Sequence, residues 1–147
     1  MLEKNEKILY FDAHFHYFEC KKLGIFEFPA DFAGKWAGIS CAHSKEEWTV
    51  QQNAPDSVIQ AYGLHPQNAA MENVEASISF LETLAAERKI SAIGEAGFDF
   101  FTEEFKACSK KQEEIWNLQL DLAIKYQLPL IVHCRKANEK LFEYSKG

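Results

Sequence analysis

Five apolar runs of strand character alternate with segments of helical periodicity along this 147-residue chain, and that alternation limits the fold more than any other feature. The runs are ILYFDAHFH (8–16), WAGISCA (36–42), SVIQAYGLH (57–65), ISAIGEAGF (90–98) and PLIVHC (129–134). Each is continuously apolar or rich in Ile, Val, Phe and Tyr, as strands covered on both faces tend to be. Between the third and fourth runs, Val74, Ile78, Leu81 and Ala85 repeat at helical spacing, and Arg88 and Lys89 follow where cations suit a helix C-terminus. A longer helix is expected from about Phe105 to Tyr126, with Ile115, Trp116, Leu120, Ala123 and Ile124 on one broad face, and a shorter one over Lys136–Tyr144. Residues 17–35 read as loop plus a short helix. A strand–crossover–strand order repeated in this way implies a parallel sheet, either doubly wound or barrel-like.

Composition narrows the setting. Hydrophobic residues make up 47% and charged residues 26%, as in an ordinary globular domain, so residues 1–147 are expected to form one domain. A net charge of −6 argues against a general polyanion-binding surface but leaves room for a local cationic or metal-bearing cleft. Cys20, Cys41, Cys108 and Cys134 are scattered without a CxxC pair, which points to reduced thiols and a cytoplasmic protein. The opening MLEKNEKILYF has no apolar core of a signal peptide, and no apolar run approaches the roughly 20 residues of a membrane span.

In both parallel architectures function gathers at the C-terminal ends of the strands. The first run ends in Asp12, His14 and His16, which alternate and so share a face, with apolar Leu9, Phe11, Ala13 and Phe15 expected to pack behind them. The third ends in His65, the fourth carries Glu95 and Asp99, and the fifth ends in His133 and Arg135. Glu95 and His133 each interrupt an apolar strand, where an unpartnered carboxylate or imidazole would cost several kcal/mol. A divalent cation would satisfy such a set. His43, ahead of the polar SKEE, reads as a solvated loop residue, and a lone HxH pair elsewhere would read as structural.

Four stretches together, DAHFH (12–16), GLHP (63–66), IGEAGFDFF (93–101) and LPLIVHCRKA (128–137), resemble the successive motifs of the TatD family of metal-dependent hydrolases in order and spacing. The resemblance implies a TIM-barrel-like (β/α) fold and metal-dependent hydrolysis of phosphodiesters, as in a deoxyribonuclease acting on DNA. It implies that His14 and His16 hold a first metal, that Glu95 bridges two, and that His133 holds the second. Asp12 would act as an outer-shell group near the first metal, while His65 and Arg135 would face the substrate phosphate. Zinc or manganese suits such ligands, or magnesium where oxygen and water dominate.

A full (β/α)8 barrel takes about 250 residues. Five strands therefore make an incomplete barrel, truncated on its C-terminal side, without the family's further metal-binding histidine and late aspartate. The second metal would be left with one histidine and the shared glutamate, whereas His14, His16 and Glu95 form a three-donor set with room for water. One ion at the first site is the expectation. Open sheet edges predict either a homo-oligomer that covers them or a chain that is the leading part of a longer product. Two other functions compete with the hydrolase: an inactive remnant that binds a metal or a partner, and a hydrolase of carbonyl substrates on the same scaffold.

Overall fold

The computed structural model describes residues 8–25, 34–70 and 73–146. Five strands, β1 (Tyr10–Phe15), β2 (Trp36–Ala42), β3 (Val58–Tyr62), β4 (Ala92–Asp99) and β5 (Leu130–Arg135), form one sheet in the order β1-β2-β3-β4-β5. Every neighbouring pair is parallel. A doubly wound sheet reverses its strand order at a switch point, whereas a barrel adds each strand beside the last. The order here does not reverse, so of the two parallel architectures the chain adopts the TIM-barrel-like one.

The helices are α1 (Tyr17–Lys22), α2 (Lys45–Gln51), α3 (Val74–Ala86), α4 (Glu103–Ala107), α5 (Ser109–Tyr126) and α6 (Asn138–Glu143), with a 3-10 turn at Pro66–Asn68. The short helix expected in 17–35 is α1; residues 26–33 lie outside the described residues. Helix α2 was not expected, because KEEWTVQ carries only two strongly apolar residues. Its start is made by capping. Ser44 Oγ accepts the Glu47 N–H at 3.1 Å, and Glu47 Oε2 accepts the His43 N–H at 2.7 Å. The single helix expected over 105–126 is two, broken at Cys108. There the Phe105 carbonyl accepts the Cys108 N–H and the Gln112 side-chain amide, and so leaves the regular ladder.

The buried stripe of α5 also differs from the apolar pattern. Gln112, Ile115, Trp116, Gln119, Leu122 and Ala123 are its buried residues, while Ile124 is exposed. The stripe keeps helical spacing but recruits two amides, which the site below uses. Against it and α3 sits the main core, including Tyr62, Leu64, Leu81, Leu84, Ile93 and Ile115. A smaller cluster of Cys41, Ala61 and Ala92, with Ile39 and Ile131, packs separately.

Strand β1 corrects a second expectation. Leu9 and Phe11 are each half exposed, at 54% and 55%, so the apolar side of the first run is not packed away. The reason is its place at the sheet edge, where no strand among the described residues lies on its outer side. The central strand β4 is the opposite case, with all but one of its eight residues buried.

Close approach of β4 to β5 depends on glycine. Gly97 has φ +148°, and a Cβ there would stand 2.1 Å from the His133 carbonyl oxygen. Gly97→Ala must push the strands apart at the level of the site. We expect it to lower the unfolding free energy by about 3 kcal/mol. Urea melts of the two chains check this; coincident midpoints would contradict it.

Candidate metal centre

All five histidines of the chain converge on one carboxylate. Around Glu95 Oε2 stand the Nε2 atoms of His14 at 3.0 Å, His16 at 3.5 Å, and His43 and His65 at 3.8 Å. Nδ1 of His133 lies 3.1 Å from the other oxygen. The imidazoles come from β1, β5 and the residues just past β1, β2 and β3, so the sheet curls until side chains of both its edge strands reach β4. His43, expected in solvent, has a side chain only 12% exposed. It belongs to the cluster because β2 runs to Ala42 and the capping of α2 turns the chain immediately after it.

Two groups of three donors lie within 4.8 Å of one another: His14, His16 and Glu95, and His65, Glu95 and His133. The second has one donor more than the sequence suggested, since His65 joins it. Ligands of a tetrahedral zinc at about 2.0–2.2 Å stand roughly 3.3–3.5 Å apart, so distance alone admits both groups. Hydrogen bonds separate them. His16 Nδ1 donates to the Cys41 carbonyl at 3.1 Å, which leaves its Nε2 as a bare lone pair aimed at the carboxylate. Cys41 Sγ lies 3.4 Å from His14 Nδ1, and a thiol can accept from that nitrogen, leaving His14 Nε2 free in the same way. One residue of β2 thus backs both imidazoles, as the outer shell of a metal site does. His16 turns a lone pair toward the carboxylate, and a cation between them would satisfy both.

His65 is arranged the other way. Its Nδ1 accepts the Gln67 N–H at 3.2 Å, so its proton sits on Nε2, which faces Glu95 Oε2 at 3.8 Å. It is a donor into the site and would have to give up that proton to become a ligand. His133 donates from Nδ1 to Glu95 Oε1 at 3.1 Å and from Nε2 to Asp99 Oδ2 at 3.0 Å, the latter the carboxylate–histidine pairing that fixes ligand tautomers. Asp12 takes the His14 backbone N–H at 3.1 Å, at the bulge where β1 shifts register against β2, and not an imidazole proton.

Three buried glutamines hold the strand ends in place. Gln119 brackets Leu64, accepting its N–H at 2.8 Å and donating to its carbonyl at 3.1 Å, one residue before His65. Gln112 brackets Asp99 in the same manner, at 2.8 and 3.0 Å. Gln51 accepts from Ser40 Oγ at 2.6 Å and donates to the Ala61 carbonyl at 2.9 Å, tying β2 to β3. Asp99, wholly buried, also receives Gln67 at 2.8 Å and stands 3.6 Å from Arg135 Nη1. None of these amides was singled out in the sequence, where a glutamine on a helix looks solvated. Their seven-residue spacing on α5, in step with Ile115, Trp116 and Leu122, was the available signal.

Burial, and then the neighbouring imidazoles, lower His43 to about 3. Burial and then His133 lower His65 to about 4, so both are neutral near pH 7. For Glu95 burial pulls upward, but the hydrogen bond from His133 and the surrounding imidazoles outweigh it and hold the carboxyl at about 2. Burial also pulls His133 down, yet its bonds to Glu95 and Asp99 leave it raised. Burial and the Glu95 charge push Cys41 up to about 12, so the thiol stays protonated.

This cluster at the C-terminal end of a sequentially ordered parallel sheet gives the barrel-like chain a histidine–carboxylate group able to hold a metal. The family model for TatD related DNase matches residues 11–147, and the chain belongs to that family. A Mycoplasma pneumoniae protein described as an uncharacterized metal-dependent hydrolase is 28% identical over 93% of this chain and 55% of its own length. A Rahnella protein named 3'-5' ssDNA/RNA exonuclease TatD is 35% identical over 70% of this chain and 38% of its own. The crystal structure of YJJV, a TatD homologue from Escherichia coli K12, superposes with a TM-score of 0.75 and 25% identity, covering 93% of this chain and 55% of that one. The chain therefore spans about half the length of these relatives, or less.

The depressed imidazoles give the metal-free chain a pH signature. Below the ordinary histidine value of 6.5, an unfolded chain takes up protons at His43 and His65 that the folded chain refuses until about 3 and 4. Stability is then present above pH 6.5 and lost as pH falls, and Glu95 adds a loss of the same sign below 4.5. His133, being raised, works in the opposite direction as pH rises. We expect the melting temperature in EDTA to fall by several degrees between pH 7 and pH 4.5. A flat or rising profile on thermal scanning would contradict the cluster's burial.

Proposed function

We propose that this chain carries the cation-binding part of a phosphodiesterase acting on single-stranded nucleic acid, with one divalent cation held by His14, His16 and Glu95. The observation that carries the reading is the hydrogen bond from His16 Nδ1 to the Cys41 carbonyl, which commits His16 Nε2 to face Glu95 as a lone pair. Two imidazoles and one carboxylate favour zinc or manganese over magnesium, which prefers oxygen ligands. The name of the Rahnella relative supports the substrate class. Bound there, the cation would supply a water of lowered pKa and polarise a phosphoryl oxygen.

The chain's own groups supply the rest. His65 presents a neutral Nε2–H to an oxygen of the phosphate, a role its bond to Gln67 fixes. Arg135 offers a guanidinium at the mouth of the site, steadied by Asp99. His133 donates from both ring nitrogens, to Glu95 and to Asp99, so it takes a second ion only by giving up the Nδ1 proton. Asp12 holds the backbone at His14. A cleft of about 280 Å³ lined by His16, His43, His65 and Gln67, together with Glu19 and Glu47, gives the substrate access. Four free cysteines support a reducing, cytoplasmic setting. Among the described residues no helix is long and apolar enough to cross a membrane. An inactive remnant is the weaker reading, since it was motivated by missing ligands and three donors of the first set are assembled.

Zinc and manganese stoichiometry after dialysis, paired with hydrolysis of bis(p-nitrophenyl) phosphate, tests the proposal. The expected result is about one ion per chain, with Glu95→Ala losing the ion and the hydrolysis together. A chain that loads no ion at saturation, or loads one and cleaves no phosphoester, would overturn it.

A further inference from the structure

Just outside the histidine cluster, two consecutive cations lie on one ring. Cζ of Arg135 stands 4.0 Å and Nζ of Lys136 4.6 Å from the centroid of Phe101, which is half exposed. Successive residues of a strand point to opposite sides. Here the alternation is broken because Lys136 takes a left-handed conformation, φ +52°, at the end of β5, and both side chains reach the same ring. The ring is itself fastened to the site: the Phe101 N–H donates at 2.9 Å to Asp99, the carboxylate that holds His133 and faces Arg135.

Lys136 also lines a groove of about 670 Å³ with Phe100, Lys106, Asn138 and Lys140, together with Glu139 and Glu143. Lys140 is committed to Glu113 at 2.6 Å and Glu143 at 2.8 Å. Lys106 and Lys136 have no carboxylate at ion-pair distance among the described residues. On a chain with a net charge of −6, then, two uncommitted ammonium groups line one groove, and a half-exposed guanidinium shares the Phe101 ring with one of them. An aromatic face stabilises cations without neutralising them, so they stay available to an anion. Two cations crowded on one ring repel, and an anion bridging them relieves that.

We propose that Arg135, Lys136 and Phe101, extended by Lys106, form a second phosphate subsite. It grips the backbone phosphate next to the one at the cation centre. The inference rests on the nucleic-acid reading above and deepens it: the preferred substrate has at least two phosphates in a row, and the subsite reads backbone and not base. A flexible strand can bend from one site to the other, whereas a lone phosphomonoester occupies only the first.

Binding of a fluorescein-labelled hexathymidylate to the full chain in EDTA, followed by anisotropy across a range of KCl, isolates the subsite from cleavage. Lys136→Gln is expected to weaken binding by about threefold to tenfold and to reduce the slope of log K against log salt by about 0.7. Lys106→Gln should act in the same direction, and Phe101→Leu should weaken binding while keeping most of the slope. A hexamer that does not bind, or that binds all four chains with one affinity and one slope, overturns the subsite. The two readings fail separately. Diester hydrolysis with no effect of these substitutions leaves the hydrolase and removes the subsite. Charge-dependent binding without any hydrolysis leaves the subsite and removes the hydrolase.

Discussion

The Glu95 carboxylate, on the middle of a buried strand and ringed by five imidazoles, is the constraint on which the rest of the site depends. An anion in that position is tolerated because His133 hydrogen-bonds it and the other rings surround it, and the same contacts hold it ionised at about 2. The rings are not equivalent. His16 is turned by the Cys41 carbonyl so that a lone pair faces the anion, while His65 is turned by Gln67 so that a proton does. Identical side chains therefore divide into an acceptor and a donor by what touches their far nitrogens.

That division needs strand ends held to a few tenths of an ångström, and the scaffold supplies it through side-chain amides. Gln112 and Gln119 reach from α5 to bracket Asp99 and Leu64, the residues that set His133 and His65. Burying an amide costs free energy unless each polar atom is matched, and here both atoms of each amide are. Close packing of β4 on β5 through Gly97 completes the frame, since any side chain there would strike the His133 carbonyl. The TatD-related family membership and the YJJV superposition fit this frame over nearly the whole chain.

The parallel sheet and most of the cluster were legible in the sequence because their signals are local. His14, His16, His65, Glu95 and His133 each break an apolar run at or near a strand end, where polarity is conspicuous. His43 obeys the same positional rule but was hidden by SKEE, whose charges are the first turn of a capped helix and not a solvated loop. The glutamines were hidden because a helical pattern counts them as polar; only their partners on other strands make them interior. The break at Cys108 was likewise unreadable, being set by a side chain seven residues beyond Phe105. The exposed flank of β1 was missed for a different reason, since a strand's pattern does not say what stands beside it.

The central claim is that the tautomers are set before any cation arrives. Long-range nitrogen–proton NMR of the five imidazoles in the metal-free chain near pH 7.5, followed by zinc titration, tests it most directly. The expected result is His16 with its proton on Nδ1 and His65 with its proton on Nε2 before zinc. Zinc is then expected to move the Nε2 signals of His14 and His16 while His65 keeps its Nε2 proton. A His16 protonated on Nε2, or a His65 that gives up that proton to zinc, would contradict the claim.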